Sequence, residues 1–284
     1  MRACYTNVNI GLDYIYIFVF FYLVWESFYN KYFLHEIIFK LFGKIESVFY
    51  HKTILKGVEV EEMSINYKKY PLSFIAGVFA IGVFWIFTLI SWAFFPGEYN
   101  PYDNWVSNLG NQALNPEGAI FFNIGCIITG ILFFPFFFGL FEFYIGDSKN
   151  KILTVLTQIA GFVSAFSMIM IGIYPENNVE MHTFWTVIFF ASTIPILFLP
   201  SIALYKYSFT RKLAKYGFAA TALNLLLCLL FLPILEWLTI IVAFGFIGLM
   251  VMNLNNRIDK YRFIRKNMKP KKRNKGTRVR KIST

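Results

Sequence analysis

His182 follows Glu176 and Glu180 in the stretch YPENNVEMHTFW, and no other histidine occurs beyond residue 51. An imidazole with a carboxylate at hand can act as a general base, or it can be held by hydrogen bonds as a structural group. A second polar stretch, FPGEYNPYDNWVSNLGNQALNPEGAIFF, offers Asp103, Ser107, Asn108 and Glu117, and LPILEW adds Glu236. With His182 as base and Ser107 or water as nucleophile, the chemistry would be acyl transfer or hydrolysis. No Gly-x-Ser-x-Gly frame surrounds Ser107, so the serine lacks the strained elbow of hydrolase nucleophiles. One histidine among scattered carboxylates is also poor zinc chemistry, which usually draws on two or three His or Cys ligands. No metal is expected, and no cofactor: Gly245 and Gly248 in AFGFIGLM sit inside an apolar run, where they serve helix packing better than a phosphate. Cys4, Cys126 and Cys228 have neither zinc-ligand nor redox spacing.

The elements that position these groups are apolar throughout. The chain is 57% hydrophobic and 20% aromatic, with 35 phenylalanines and a positive mean hydropathy. A membrane-spanning helix needs about 20 mainly apolar residues. Such runs recur near 72–95, 119–144, 152–174, 182–204, 216–233 and 237–254. They are continuous and do not alternate apolar with polar, which disfavours a β-barrel. The expected class is all-α, a polytopic transmembrane bundle with a six-span core over 72–254.

Charge fixes the expected topology. Three loops, 96–118, 175–181 and 234–236, carry Glu98, Asp103, Glu117, Glu176, Glu180 and Glu236 and no lysine or arginine. The alternate connections carry Lys68, Lys69, Lys149, Lys151, Lys206, Arg211, Lys212 and Lys215. By the positive-inside rule the basic connections face the cytoplasm of a multi-pass cell-membrane protein. Residues 257–284 hold 13 of the 27 Lys and Arg residues and one acid, Asp259, so this stretch carries +12 and the remainder of the chain −1. The segment 255–284 reads as a basic cytoplasmic tail whose partners are anionic lipid headgroups rather than nucleic acid. Residues 1–71 form a separate N-terminal segment. Within it 9–28 can span the membrane, or lie at its surface, or act as a signal-like segment, and 29–70 read as a cytoplasmic linker. Translation from Met63 is a further alternative. Oligomeric state is not readable.

Local signals in the long acidic loop predict a short helix opened by Asp103 as cap, after Pro101, and closed by Gly110. Trp105 and Leu109 share one face of it, and Asn104, Ser107, Asn108 and Asn111 the other. Asn115, Pro116 and Glu117 then read as a helix start: cap, first-turn proline and an acid on the positive end of the helix dipole. Asp103 and Glu117 therefore have structural roles open to them beside any chemical one. Deeper polar residues are few: Asn123, near the same mouth, with Gln158 and Asn224. Gly161, Ser164, Ala165 and Gly172 predict close helix packing on the third span.

The segments NPYDNWVSNLGNQALNPEGAIFFNIGCIITGILFFPFF, IGIYPENNVEMHTFW and LPILEW resemble the prokaryotic membrane family named domain of unknown function 998, across about residues 70–254. That family is itself similar to the eukaryotic six-span FRAG/DRAM/Sfk group. Ser107, Gly110, Pro116, Glu117 and His182 match, while Asn108 stands where the family's Ser-Asp-Leu-Gly loop usually has Asp. The resemblance implies a six-helix fold and an outer-face site but no known reaction. Two functions stay open. One is a regulator or transporter component that binds a lipid or small ligand, with Asp103, Asn108, Glu117, Asn123, Glu176 and Glu236 as ligand-binding residues. The other is a lipid hydrolase or acyltransferase with Ser107 and His182 catalytic. In either case Ser107, Asn108, Glu117, Glu176, His182 and Glu236 are expected to converge at the outer mouth of the bundle.

Overall fold

The computed structural model describes residues 70–267, Ile145 and Asp147 apart. The segment 9–28, the linker with Met63, and the tail beyond Asn267 lie outside the described residues. Six α-helices follow one another: α1 (Leu72–Ala93), α2 (Ala119–Phe138), α3 (Ser148–Ile173), α4 (Val179–Tyr205), α5 (Arg211–Leu230) and α6 (Pro233–Asn267). All six are long and apolar enough to cross a membrane, and the described residues include no strand. The expected six-span, all-α class is what forms. The last helix runs past residue 254 to Asn267, with a break in helical geometry at Arg257.

Each helix packs on the next, and α6 returns to close on α1, so the six form a ring. Its inward faces are set by small and aromatic residues at helical spacing. On α1 the buried row runs Ser73, Ala76, Ala80, Phe84, Thr88, Ser91, steps of three and four that keep one face inward. Between α2 and α3 the small residues expected to pack closely do so. Gly161 lies against Phe137 and Gly172 against the Asn123 carbonyl, where an added Cβ would collide. At mid-depth Phe84 stacks on Phe244 at 4.5 Å, and Phe133 follows at 5.8 Å from Phe244. Offset aromatic stacks of this kind fill the ring's axis with dispersion contacts. The axis is a packed core at that depth.

At the acidic end the connection between α1 and α2 turns inward. A 3-10 helix, Val106–Gly110, sits over the ring, with Val106, Asn108, Leu109 and Gly110 buried. The expected cap at Asp103 is corrected. Residues 101–104 form a turn organised by Asn100, whose carbonyl receives the N–H groups of Asp103 at 3.0 Å and Asn104 at 2.8 Å. Asp103 is exposed and accepts from the Asn100 amide at 2.9 Å. The cap position is instead Trp105, whose N–H is received at 2.8 Å by Oδ1 of Asn108 from within the helix. Asn115 does open α2, one turn early: its Oδ1 accepts from Gly118 N–H at 3.1 Å and its carbonyl from Ala119 N–H at 2.9 Å.

Candidate functional site

A short helix pushed into a membrane protein must find partners for every backbone polar group, because lipid and packed side chains offer none. Here five elements supply them. The Leu109 carbonyl accepts from Ser91 Oγ of α1 and from Asn115 Nδ2, each at 3.0 Å. The Gly110 carbonyl accepts from Asn123 Nδ2 of α2 at 3.0 Å. A side chain at 110 would run into Asn123 and Phe122, which is why glycine ends this helix. Upstream, Tyr99 donates to the Trp105 carbonyl at 2.7 Å and Trp237 Nε1 to the Asn104 carbonyl at 3.2 Å. Trp92, Tyr99 and Trp237 meet in a triangle with centroids 5.3, 5.7 and 5.8 Å apart, joining α1, the loop and α6.

Two carboxylates complete the fastening. Glu236, in the first turn of α6 and only 5% exposed, accepts the Val106 N–H at 2.6 Å. This bond satisfies the first free N–H of the 3-10 helix. Glu176, in the α3–α4 connection, receives Asn108 Nδ2 at 2.8 Å on both oxygens and Asn111 Nδ2 at 3.1 Å. Beside it Asn177 Oδ1 accepts Gln112 N–H at 2.7 Å. The amide at 108 therefore works in both directions, its oxygen capping its own helix and its nitrogen holding a carboxylate. A carboxylate at this position would face Glu176 with two like charges.

Beneath the 3-10 helix lies a cavity of about 40 Å³, lined by Ser107, His182, Thr186 and Glu236 among apolar and aromatic walls. That is room for about two or three water-sized groups. Helices α1, α2, α3, α4 and α6 all contribute, and the Phe84–Phe244 stack belongs to its wall. His182, 6% exposed, makes a 2.8 Å contact from Nδ1 to the Tyr174 carbonyl. A carbonyl can only accept, so Nδ1 carries the hydrogen, and burial favours the neutral ring, which leaves Nε2 a lone pair. That Nε2 is buried and has no hydrogen-bond partner, as is Thr186 Oγ1 one helical turn further along α4. Buried polar atoms are normally paired, so these two, on one cavity wall, are free to receive a hydrogen-bond donor.

The structure brings Ser107, His182 and Glu236 to one cavity, with Asn108 and Glu176 hydrogen-bonded immediately above it through the 3-10 helix. Asn123 holds the end of that helix. Asp103 and Glu117 are exposed and take no part. Glu117 stands in the turn before α2, with its side chain turned outward, because the deep positions of that turn belong to Asn115 and Gly118. Ser107 makes no hydrogen bond to His182, whose Nε2 is unpartnered. Thr186 escaped the sequence reading, although its i+4 spacing from His182 puts both on one helix face. Tyr99 and Trp237 also escaped, because aromatic residues at this density carry no individual signal. Among the described residues no three His, Cys, Asp or Glu side chains are grouped to hold a metal ion.

A family model described as "Protein of unknown function (DUF998)" matches residues 78–254, the ring and its 3-10 helix. Among curated proteins and among solved structures, nothing matches the chain.

Proposed function

The chain belongs to the DUF998 family, and from this premise we propose that it is a multi-pass cell-membrane protein that binds a lipid or small ligand beneath the 3-10 helix, as a regulator or transporter component. The observation that carries the reading is the cavity under Val106–Gly110, with the orphaned Nε2 of His182 and Oγ1 of Thr186 on its wall. A concave, mostly apolar space with a few convergent polar groups is the usual form of a ligand site, and ionisable residues at membrane depth are costly unless they serve one. In this reading the acidic end faces outward and the C-terminus the cytoplasm, since the Lys and Arg residues lie at the other end. The basic tail then meets anionic headgroups.

A second reading, a lipid hydrolase or acyltransferase with His182 as base, draws on one observation: Ser107 and His182 share the cavity. The missing hydrogen bond between them weighs toward binding.

Native mass spectrometry of the full-length protein released from its own membranes tests the proposal. The wild type is expected to carry a bound mass that His182→Ala loses, and Ser107→Ala to retain it. A wild type that never carries such a mass, from any membrane preparation, overturns binding. A bound mass that turns over into product only when Ser107 is present replaces it with the enzyme.

A further inference from the structure

The chemistry of the cavity narrows the ligand class, in an inference that rests on the binding reading above. Every polar group identified on its wall can accept a hydrogen bond. His182 presents the Nε2 lone pair, fixed by the Nδ1 bond to Tyr174. Glu236 presents a carboxyl group, one oxygen of which takes the Val106 N–H. Thr186 and Ser107 add hydroxyls. Phe84, Phe122, Phe189, Phe190 and Phe244 supply ring faces and edges to the same wall. No Lys or Arg occurs in residues 70–148, 152–205 or 216–256, which together form all of this half of the bundle. Among the described residues, the buried Glu236 therefore has no lysine or arginine within its half of the ring. A buried carboxyl group either keeps its proton or is held ionised by a paired, hydrogen-bonding cation, and aromatic walls favour a cation over an anion or a neutral group. The partner that answers all of these at once is a cation with N–H donors, small enough for about 40 Å³.

We propose that the cavity takes a primary ammonium group, R–NH₃⁺. Two of its N–H bonds point to His182 Nε2 and the Glu236 carboxylate, the third goes to the unpartnered Thr186 Oγ1, and its carbon end lies against the phenylalanines. An ammonium offers three donors, which matches the acceptors on the wall. The group arrives either on an aminophospholipid headgroup or on a free amine. Tetramethylammonium and choline carry the same charge but no N–H, and they are too bulky for the space.

The test uses the full-length protein in lipid nanodiscs, read by thermal melting at constant ionic strength. In phosphatidylcholine nanodiscs, millimolar ethylammonium chloride is expected to raise the Tm by several degrees, and tetramethylammonium chloride to leave it unchanged. A rise with ethylammonium assigns a free amine. A rise only when phosphatidylethanolamine replaces phosphatidylcholine assigns the lipid headgroup. Equal rises with tetramethylammonium, or no rise from either source, overturn the proposal. Glu236→Gln keeps an oxygen for the Val106 N–H but loses the charge, and should weaken ethylammonium at least tenfold. Unchanged affinity there also overturns the proposal. Should that variant fail to fold, Thr186→Val decides in its place, with a loss of threefold or more expected and none overturning. A retained native ligand that lacks an N–H-bearing cation would sink the ammonium assignment while leaving the binding reading intact.

Discussion

The two ends of the ring are held together by different physics. At the acidic end, directional bonds link residues far apart in the chain: Glu236 to Val106, Trp237 to Asn104, Glu176 to Asn108 and Asn111. At the basic end one such bond, from Ser73 Oγ to Glu142 at 3.0 Å, stands among looser meetings of rings and cations. Lys260 Nζ lies 4.3 Å over the Phe209 ring, Arg257 lies 5.8 Å from the same ring, and Arg211 lies 5.7 Å over Tyr205. Tyr261 meets Phe143 and Phe209 edge-on at 5.7 and 5.5 Å. Hydrogen bonds specify distance and angle, whereas cation–π and ring contacts tolerate sliding. The first end is built to hold a cavity to shape. The second is built to keep charge near water while its stems cover apolar surface.

The largest expected contrast comes from Glu236→Ala. It strands a buried N–H at Val106 and should cost about 2–3 kcal/mol in an SDS-unfolding titration. A loss below about 0.5 kcal/mol would mean that the acidic end is not fastened by this bond. Next is Asn108→Asp, which sets two carboxylates against each other in place of the 2.8 Å bonds to Glu176. We expect about 2 kcal/mol of destabilisation, mostly recovered when Glu176→Gln is added. Additive effects in this double-mutant cycle would break the pairing. Tyr99→Phe should cost about 1 kcal/mol, for the 2.7 Å bond to Trp105. It carries a pH signature as well. Burial, and then the nearby Glu236 carboxylate, hold the Tyr99 phenol well above its usual range. An unfolded tyrosine releases its proton near pH 10 while this one keeps it. Stability is therefore fully present below about pH 10 and falls as pH rises above it. That alkaline slope should be shallower in Tyr99→Phe, and an unchanged slope would contradict the assignment. Smallest of all, Lys260→Gln at the basic end should cost about 0.5 kcal/mol. A loss as large as that of Glu236→Ala would erase the difference between the ends.

Much of this was legible in the sequence, for an identifiable reason. Continuous apolar runs carry their own evidence of spanning, and the six runs became six helices with ends shifted by a few residues. The gathering of Ser107, Glu176, His182 and Glu236 at one end followed from the hydropathy-based count of crossings and the loop charges together. What failed was local. Asp103 looked like a cap because its neighbours fit that role, but the 3-10 helix takes its position from Glu236, 130 residues downstream of Val106. No nearby residue encodes that. The exposure of Glu117 is a similar case: a dipole-matched acid and a site acid look alike until burial is known. The ring's closure of α6 on α1 left no trace in the sequence pattern, since any order of six apolar helices satisfies the same hydropathy.

That closure has a consequence for how the protein is made. Ribosomes deliver helices in order, and five of the six can enter the bilayer and pair with their predecessors as they emerge. The acceptor for Val106 and the indole that holds the Asn104 carbonyl both belong to α6, 130 and 133 residues later in the chain. Until that helix is inserted, the 3-10 segment has no lid to become part of, and its polar backbone must wait in water or at the headgroup layer. The cavity is thus the last thing the nascent chain acquires, and a chain shortened before α6 would be a membrane protein without that cavity.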